Sequence, residues 1–398
     1  MLRITQSILC ASLLLFAFRS NAQDDLATYN KAVKYMDQEQ YDLAIESFSY
    51  IHDYKDANYR SVLCAMLSHK YRNTPIDKLL AFEGAPEAGS LFHYWVGLVQ
   101  LKRFLLAEAD QSFNRFLNEV ASVDGLDEYK ADANAKLKLI ISASDQSSIF
   151  PFEGPINSRN AEMPGVLLAD ESQLVFLSDR NSEGKFEIFK TDKTKSGWGK
   201  PAVISTVPIS TEMLDVLSVK ESLVLFDPTQ QHLYTVQLSD QGWDVTDDED
   251  LPFLKDASHI YVNEYKTRII FSKPNGTNGL DLFESFKLRS TGEWLQPTPI
   301  PGLANSPYDE DYPFLTDDRK RLYFSSNRPG GVGKHDIYFV EKDPETSMWS
   351  NPVNAGIPIN SVDDDISFSM TSESKALISS DRIFSTGDLD LFVVDVKN

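Results

Sequence analysis

The sequence predicts a two-domain α + β chain: an α-helical solenoid over residues 23–148 and an all-β propeller over residues 149–398, behind a leader of 22 residues. A change of period sets the divide. Apolar residues recur at helical spacing up to about Ser148 and alternate afterwards, between frequent turn residues. A repeat then gives the architecture. Acidic, aliphatic and aromatic residues occur together as Glu187-Ile188-Phe189, Asp281-Leu282-Phe283, Asp336-Ile337-Tyr338 and Asp390-Leu391-Phe392, with a degenerate copy at His232-Leu233-Tyr234. Successive copies are 45, 49, 55 and 54 residues apart, and a tryptophan follows four of the five (Trp198, Trp243, Trp294, Trp349). Propeller blades of four strands have a period of about 40–50 residues. Five blades are expected, or six if a diverged blade is hidden in the weak second unit.

The leader has Arg3 at its start, an apolar stretch from Ile8 to Phe18, and small residues in Ser20-Asn21-Ala22, so cleavage is expected before Gln23. The apolar stretch is too short to span a bilayer core of about 30 Å. Cys10 lies inside it rather than after it, which argues against a lipid anchor. An exported, periplasmic product with no membrane span is expected. Loss of the leader leaves Cys64 alone, so no intrachain disulfide can form. The run Val62 to Leu67 around it reads as helical and buried. With 59 acidic residues against 38 basic and a formal charge of -21, the surface repels phosphate backbones and anionic membranes. Nucleic acid is therefore excluded as a partner, while basic proteins, neutral glycans and metal ions such as calcium stay open.

In the helical part, Ala32, Tyr35, Tyr41, Ala44, Phe48 and Ile51 fall at the intervals of a tetratricopeptide repeat, where small residues let paired helices approach and aromatics fill the gaps. A second such unit contains Gly97, Phe104, Ala107, Ala109, Phe113 and Phe116. Ala44 and Ala109 are 65 residues apart, close to two repeats of about 34. The unit between them, Ala57 to Phe82, is poor, and Thr74-Pro75 interrupts it. Three helix pairs stacked in this way make a short solenoid with a groove, with Leu137 to Ile141 in the last helix. A generic bundle of helix pairs is the alternative.

Each β unit opens on a proline-containing approach, such as Glu162-Met163-Pro164 or Asp311-Tyr312-Pro313. An apolar strand follows an acidic turn, as in Leu174 to Ser178 and Leu322 to Ser325. Next comes a loop ending in arginine (Ser178-Asp179-Arg180, Ser326-Asn327-Arg328, Ser380-Asp381-Arg382), then the acidic-aliphatic-aromatic strand. The fourth strand is expected to carry Trp-x-x-Pro, at Trp198/Pro201, Trp294/Pro297 and Trp349/Pro352. The chain stops after the third strand of the fifth unit. The stretch Phe150 to Asn157 looks like a copy of Pro352 to Asn360, so it is expected to complete the last blade and close the ring.

These residues resemble the TolB-like, WD40-like β-propeller repeat of exported Bacteroidota proteins. The fourth unit is the closest match, from Tyr312-Pro313-Phe314 through Arg321 to Gly333 and Asp336-Ile337-Tyr338 to Trp349 and Asn360. The second unit lacks both the arginine and the proline after Trp243, and the third has Phe271-Ser272-Lys273-Pro274 where the arginine motif belongs. A tetratricopeptide unit ahead of such a propeller resembles envelope proteins linked to type IX secretion or to OmpA-family anchoring. The resemblance implies a protein–protein scaffold or adaptor with envelope or secretion proteins as partners. Such relatives often continue into a peptidoglycan-binding domain, which this chain does not show, so wall anchoring is not carried over.

Motifs for chemistry are missing. There is no Gly-x-Ser-x-Gly, no His-Glu-x-x-His and no Walker loop, and His52, His69, His93, His232, His259 and His335 lack metal-ligand spacing. No catalytic, cofactor or metal residue is assigned, and no cofactor is expected. The acidic clusters Asp309-Glu310-Asp311, Asp247-Asp248-Glu249-Asp250 and Asp363-Asp364-Asp365 could hold calcium, or supply the carboxylate pair of a glycosidase. Two of them precede blade openings, where the repeat itself prefers acids, and the third is placed in a variable loop. A structural or solvated role is favoured for all three. Repetition likewise favours an inter-strand tie for Arg180, Arg328 and Arg382, and Gly330-Gly331-Val332-Gly333 reads as a mobile blade turn. The alternatives to a scaffold are an enzyme acting on glycan or peptide, or a calcium or ligand sensor, using the propeller mouth.

Overall fold

The computed structural model describes residues 23–143, 148–168, 171–182, 184–204, 215–219, 222–239, 242–276, 279–302, 306–372 and 374–396. The leader lies outside these residues. The chain divides into two compact units, Met1–Ala133 and Asn134–Asn398. Among the described residues no helix is long and apolar enough to cross a membrane.

Among the described residues seven α-helices make up the N-terminal part: α1 (residues 23–37), α2 (Tyr41–Ser49), α3 (Ala57–Leu67), α4 (Asp77–Leu80), α5 (Phe92–Lys102), α6 (Leu106–Glu119) and α7 (Asp127–Ser142). Helix α4 is a single turn, where Thr74-Pro75 breaks the pattern. Ala32, Ala44, Phe48, Ala57 and Cys64 form one buried cluster, and burial pushes the Cys64 thiol up to about 12. Close approach of α5 and α6 depends on Gly97, because a Cβ there would lie 2.8 Å from the Phe113 ring.

The strands form five four-stranded, antiparallel blades, one of them with its outer strand split in two. Strand β1 (Ser148–Pro151) is the first of the chain but belongs to the last blade. Blade 1 comprises β2 (Glu162–Leu168), β3 (Gln173–Ser178) and β4 (Glu187–Thr194), with β5 (Gly197–Trp198) and β6 (Ala202–Val203) both on its outer edge. Blade 2 comprises β7 (Asp215–Val219), β8 (Ser222–Asp227), β9 (His232–Ser239) and β10 (Gly242–Asp250). Blade 3 has β11 (Ile260–Val262), β12 (Arg268–Pro274), β13 (Leu280–Phe286) and β14 (Thr298–Pro299). Blade 4 has β15 (Glu310–Leu315), β16 (Arg321–Ser326), β17 (Asp336–Glu341) and β18 (Val353–Asn354). Blade 5 has β19 (Asp365–Ser372), β20 (Lys375–Ser380) and β21 (Asp390–Asp395), closed by β1. The second unit is thus one blade, and the ring has five. First strands contact one another around the ring, β2 to β7, β7 to β11, β11 to β15, β15 to β19, and β19 back to β2.

Ring closure follows the expectation. Strand β1 pairs antiparallel with β21, Ser148 opposite Asp395 and Pro151 opposite Phe392. The likeness to the fourth blade extends to side chains. Asn157 donates to the Leu391 carbonyl at 3.0 Å and accepts from its amide at 2.9 Å. Asn360 does the same for Ile337, at 2.9 and 2.7 Å.

Three expectations are corrected. The Trp-x-x-Pro segments are not continuous fourth strands: Trp294 and Trp349 make isolated bridges to Lys287 and Lys342, and a two-residue strand follows each motif proline, Pro201, Pro297 and Pro352. The acids 247–250 lie in strand β10, paired with β9, and not in a loop. The Gly330–Gly333 turn is packed rather than mobile. Its Val332 and Gly333 amides donate to the Asp336 carboxylate at 2.5 and 3.1 Å. A Cβ on Gly331 would meet Asp336 Oδ2 at 2.1 Å, and one on Gly333 would meet the Ser361 carbonyl at 2.3 Å. The turn that resembles a phosphate cradle holds the chain's own carboxylate.

Candidate functional site

The first strands of blades 1, 3, 4 and 5 line a cavity of 330 Å³. Its walls are largely apolar, with Val166, Ile260, Tyr261, Phe314, Phe368 and Met370 among the lining residues. His259 and Tyr312 line it where the strands enter, Glu264 and Asp317 where they leave. At the entry end the His259 and Tyr312 rings stack, with centroids 3.5 Å apart, and Tyr312 has a φ of 50°. His259 Nδ1 lies 3.0 Å from both oxygens of Asp311, and Ser272 Oγ donates to the same carboxylate. Burial works to raise Asp311, but the facing His259 and the hydrogen bonds hold it below the usual carboxylate range. The set contains serine, histidine and aspartate, yet its connectivity is not that of a nucleophilic triad. Ser272 donates to the carboxylate, whereas in a nucleophilic triad the serine donates to the imidazole.

A second pair lies nearby in sequence and in the ring. His335 Nδ1 is 2.7 Å from Asp364 Oδ1, and this bond raises the histidine above 6.5, with Asp309 and Asp311 adding to it. Asp364 is pushed up by burial but ends below its usual value because His335 and Lys334 face it. The sequence offered no spacing for these pairs, since each partner comes from the next blade. Only the separation of His259 and Asp311, 52 residues and so about one repeat, hinted at it.

Of the acids that tempted a calcium or glycosidase reading, Glu310 and Asp365 are tied to arginines at blade joints. Arg382, fully buried, donates to Ser380 Oγ at 3.0 Å, to the Pro358 and Ile359 carbonyls at 3.0 and 2.7 Å, and to Asp365. Arg180 repeats this with Ser178 at 3.1 Å, Glu162 at 3.0 Å and the Pro155 and Ile156 carbonyls. Arg328 bonds Ser326 at 3.1 Å and Glu310 at 2.7 Å. Each guanidinium also covers aromatic rings, Arg328 at 5.3 Å from Phe324 and 5.1 Å from Tyr338. In blade 3, Lys273 takes this place with its ammonium 4.4 Å from the Phe283 ring. The arginines are therefore the inter-strand ties that their repetition suggested.

Facing each tied acid is the third-strand aspartate of the preceding blade. Burial, with Asp281 close by, pushes Glu310 up to about 8. Burial and Asp365 push Asp336 up to about 7, and burial and Glu162 push Asp390 up to about 6. Asp309 accepts from the Leu280 amide at 2.9 Å and from Asn327 at 3.0 Å. In the third cluster Asp247 pairs with Lys266 at 3.2 Å and Glu249 with Lys287 at 2.7 Å. Glu310, Asp336 and Asp390 are thus buried where one blade meets the next.

No family model and no curated protein sequence matches this chain. Solved structures do match. One is a protein of unknown function from Dyadobacter fermentans, 9% identical over 64% of this chain and 100% of that chain, with a TM-score of 0.39. A putative TolB from Agrobacterium tumefaciens is 15% identical over 61% of this chain and 81% of that chain, with a TM-score of 0.35. An α-L-arabinofuranosidase from Lactobacillus brevis is 11% identical over 61% of this chain and 92% of that chain, with a TM-score of 0.38. Likeness of this degree says nothing about what this chain binds.

Proposed function

We propose that this chain is an exported, non-enzymatic scaffold of the bacterial envelope, docking segments of envelope or secretion proteins on its helices and at its propeller channel. One observation carries the reading: the channel presents aromatic and aliphatic side chains, while the acids around it are bonded to arginine, histidine and backbone amides. A wall of that kind suits an inserted apolar side chain better than an acid–base reaction, which needs two converging carboxylates with access to substrate. The helices fit a tetratricopeptide-like solenoid of three pairs, supported by the buried Ala44-Phe48 and Ala109-Phe113 sets and the Gly97–Phe113 contact. Export rests on the leader residues, and an association with type IX secretion or OmpA-family assemblies rests on the order of the two domains.

In-cell cross-linking of the tagged protein, read by mass spectrometry, tests this. A defined set of envelope proteins, reduced by Phe314→Asp or Met370→Asp in the channel, is the expected result. Capture unchanged by those variants and by loss of the helical domain would overturn the docking assignment.

A further inference from the structure

Three blades carry the same outer platform, a lysine whose ammonium stands over a tryptophan ring. The distances are 5.7 Å for Lys193 over Trp198, 5.6 Å for Lys287 over Trp294 and 5.6 Å for Lys342 over Trp349. The neighbouring blade covers the first two, and what it supplies is chemically specific. At Trp294, Glu249 from β10 places one carboxylate oxygen 2.7 Å from Lys287 Nζ and 2.9 Å from the indole Nε1. Phe253 adds a ring 6.0 Å from the indole. At Trp198 the closing segment supplies the Phe152 ring, 5.3 Å away and edge-on.

The third platform has no such cover. Blade 3 ends in the two-residue strand Thr298–Pro299 where blade 2 has the nine-residue β10, and among the described residues no carboxylate is hydrogen-bonded to the Trp349 indole as Glu249 is to Trp294. A cavity of 510 Å³ opens there, lined by Lys342, Trp349, Met348, Phe286 and Arg319. Arg268 also lines it but is committed to Glu284 at 2.6 Å. Among the described residues, the side chains of Lys342 and Arg319 make no hydrogen bond or ion pair, and the Trp349 indole N–H has no acceptor. Glu284 also lines the cavity, but Arg268 neutralises it, so Lys342 and Arg319 leave the lining with a net positive charge beside the indole N–H.

We propose that this cavity binds a small carboxylate carried on a ring. Its carboxylate takes the place of Glu249, bridging Lys342 and the Trp349 N–H with Arg319 alongside, and its ring takes the place of Phe253 against the indole. Aromatic acids and sugar acids share this chemistry. Both offer an apolar ring face for Trp349, aromatic in one and the C–H face of a sugar in the other, and one negative charge for the two cations.

The test follows the Trp349 indole ¹H–¹⁵N signal of the full chain, assigned with Trp349→Phe, during titration with phenylacetate, glucuronate and the neutral isostere phenylacetamide. A saturable shift at about millimolar concentration is expected with at least one of the two acids and not with phenylacetamide. Which acid acts identifies the ring. Lys342→Met is expected to weaken binding about tenfold or more, as loss of a charge-assisted contact does. Arg319→Gly is a second variant, since Arg319 has a φ of 61° that glycine accepts. No shift with either acid, an equal shift with phenylacetamide, or unchanged affinity in both folded variants would overturn the proposal.

Discussion

Arg382 shows how a single residue of the repeat acts. Its guanidinium is removed from water entirely, so its charge is tolerable only because Asp365, Ser380 and two carbonyls surround it. Replacing it with methionine leaves Asp365 buried without its cation, and a loss of about 3–5 kcal/mol is expected by urea unfolding. Arg321→Met, which breaks the exposed pair with Glu341, is expected to cost less than about 1 kcal/mol. Similar losses for the two would show that Arg382 is no tie. These roles were legible because Ser-x-Arg recurs from blade to blade. The stacked His259–Tyr312 pair with Asp311 was not legible, because it forms once, across one joint, between residues 52 and 53 positions apart. The platform at Lys342 was also missed: three Lys–Trp pairs look alike in sequence, and only the neighbouring blade decides which is covered.

At the scale of elements, closure by β1 was legible because the segment before blade 1 copies the end of blade 4. Asn157 and Asn360 each brace the start of a third strand through the amide and carbonyl of its second residue. Asn157→Ala is expected to cost about 1–3 kcal/mol, since it strips partners from a buried backbone. Asn360→Ala, in an uninterrupted blade, is expected to cost about the same. A much smaller effect at Asn157, by urea unfolding, would mean that β1 pairs too weakly to hold the ring. Strand identity was read less well than strand number. Trp-x-x-Pro marks a hairpin end and then a short outer edge, because proline cannot donate to the ladder and interrupts the pairing before the two-residue strand. The acids of β10 read as a loop because charge was taken for exposure without pairing. In fact every second residue of an outer strand faces solvent, and Asp247 and Glu249 find lysines on blade 3.

Over the whole molecule the joints make stability depend on pH. Burial lifts Glu310 to about 8, Asp336 to about 7 and Asp390 to about 6. Unfolded carboxyls have released their protons by about pH 4–5. Between there and about pH 8 the folded chain holds more protons than the unfolded one, so stability falls as pH rises through that window. His335 acts in the same direction. Its pKa is raised by Asp364, so its contribution is present below 6.5 and is lost as pH rises through the folded value. Asp311 and Asp364, held low, lose their contribution only as pH falls through their folded values, below the usual carboxylate range. Mutual repulsion within a chain of charge -21 also weakens on acidification, but salt screens it while leaving buried groups largely untouched. The deciding measurement is therefore urea unfolding of the propeller at about pH 5.5 and about pH 8 in about 0.5 M salt, for the natural chain and for Glu310→Gln. Carboxyls committed to blade joints predict a more stable propeller at the lower pH, with a smaller difference in Glu310→Gln. Equal or greater stability at the higher pH would mean that these acids are charged and open to solvent or ligand, contrary to the structural role assigned to them.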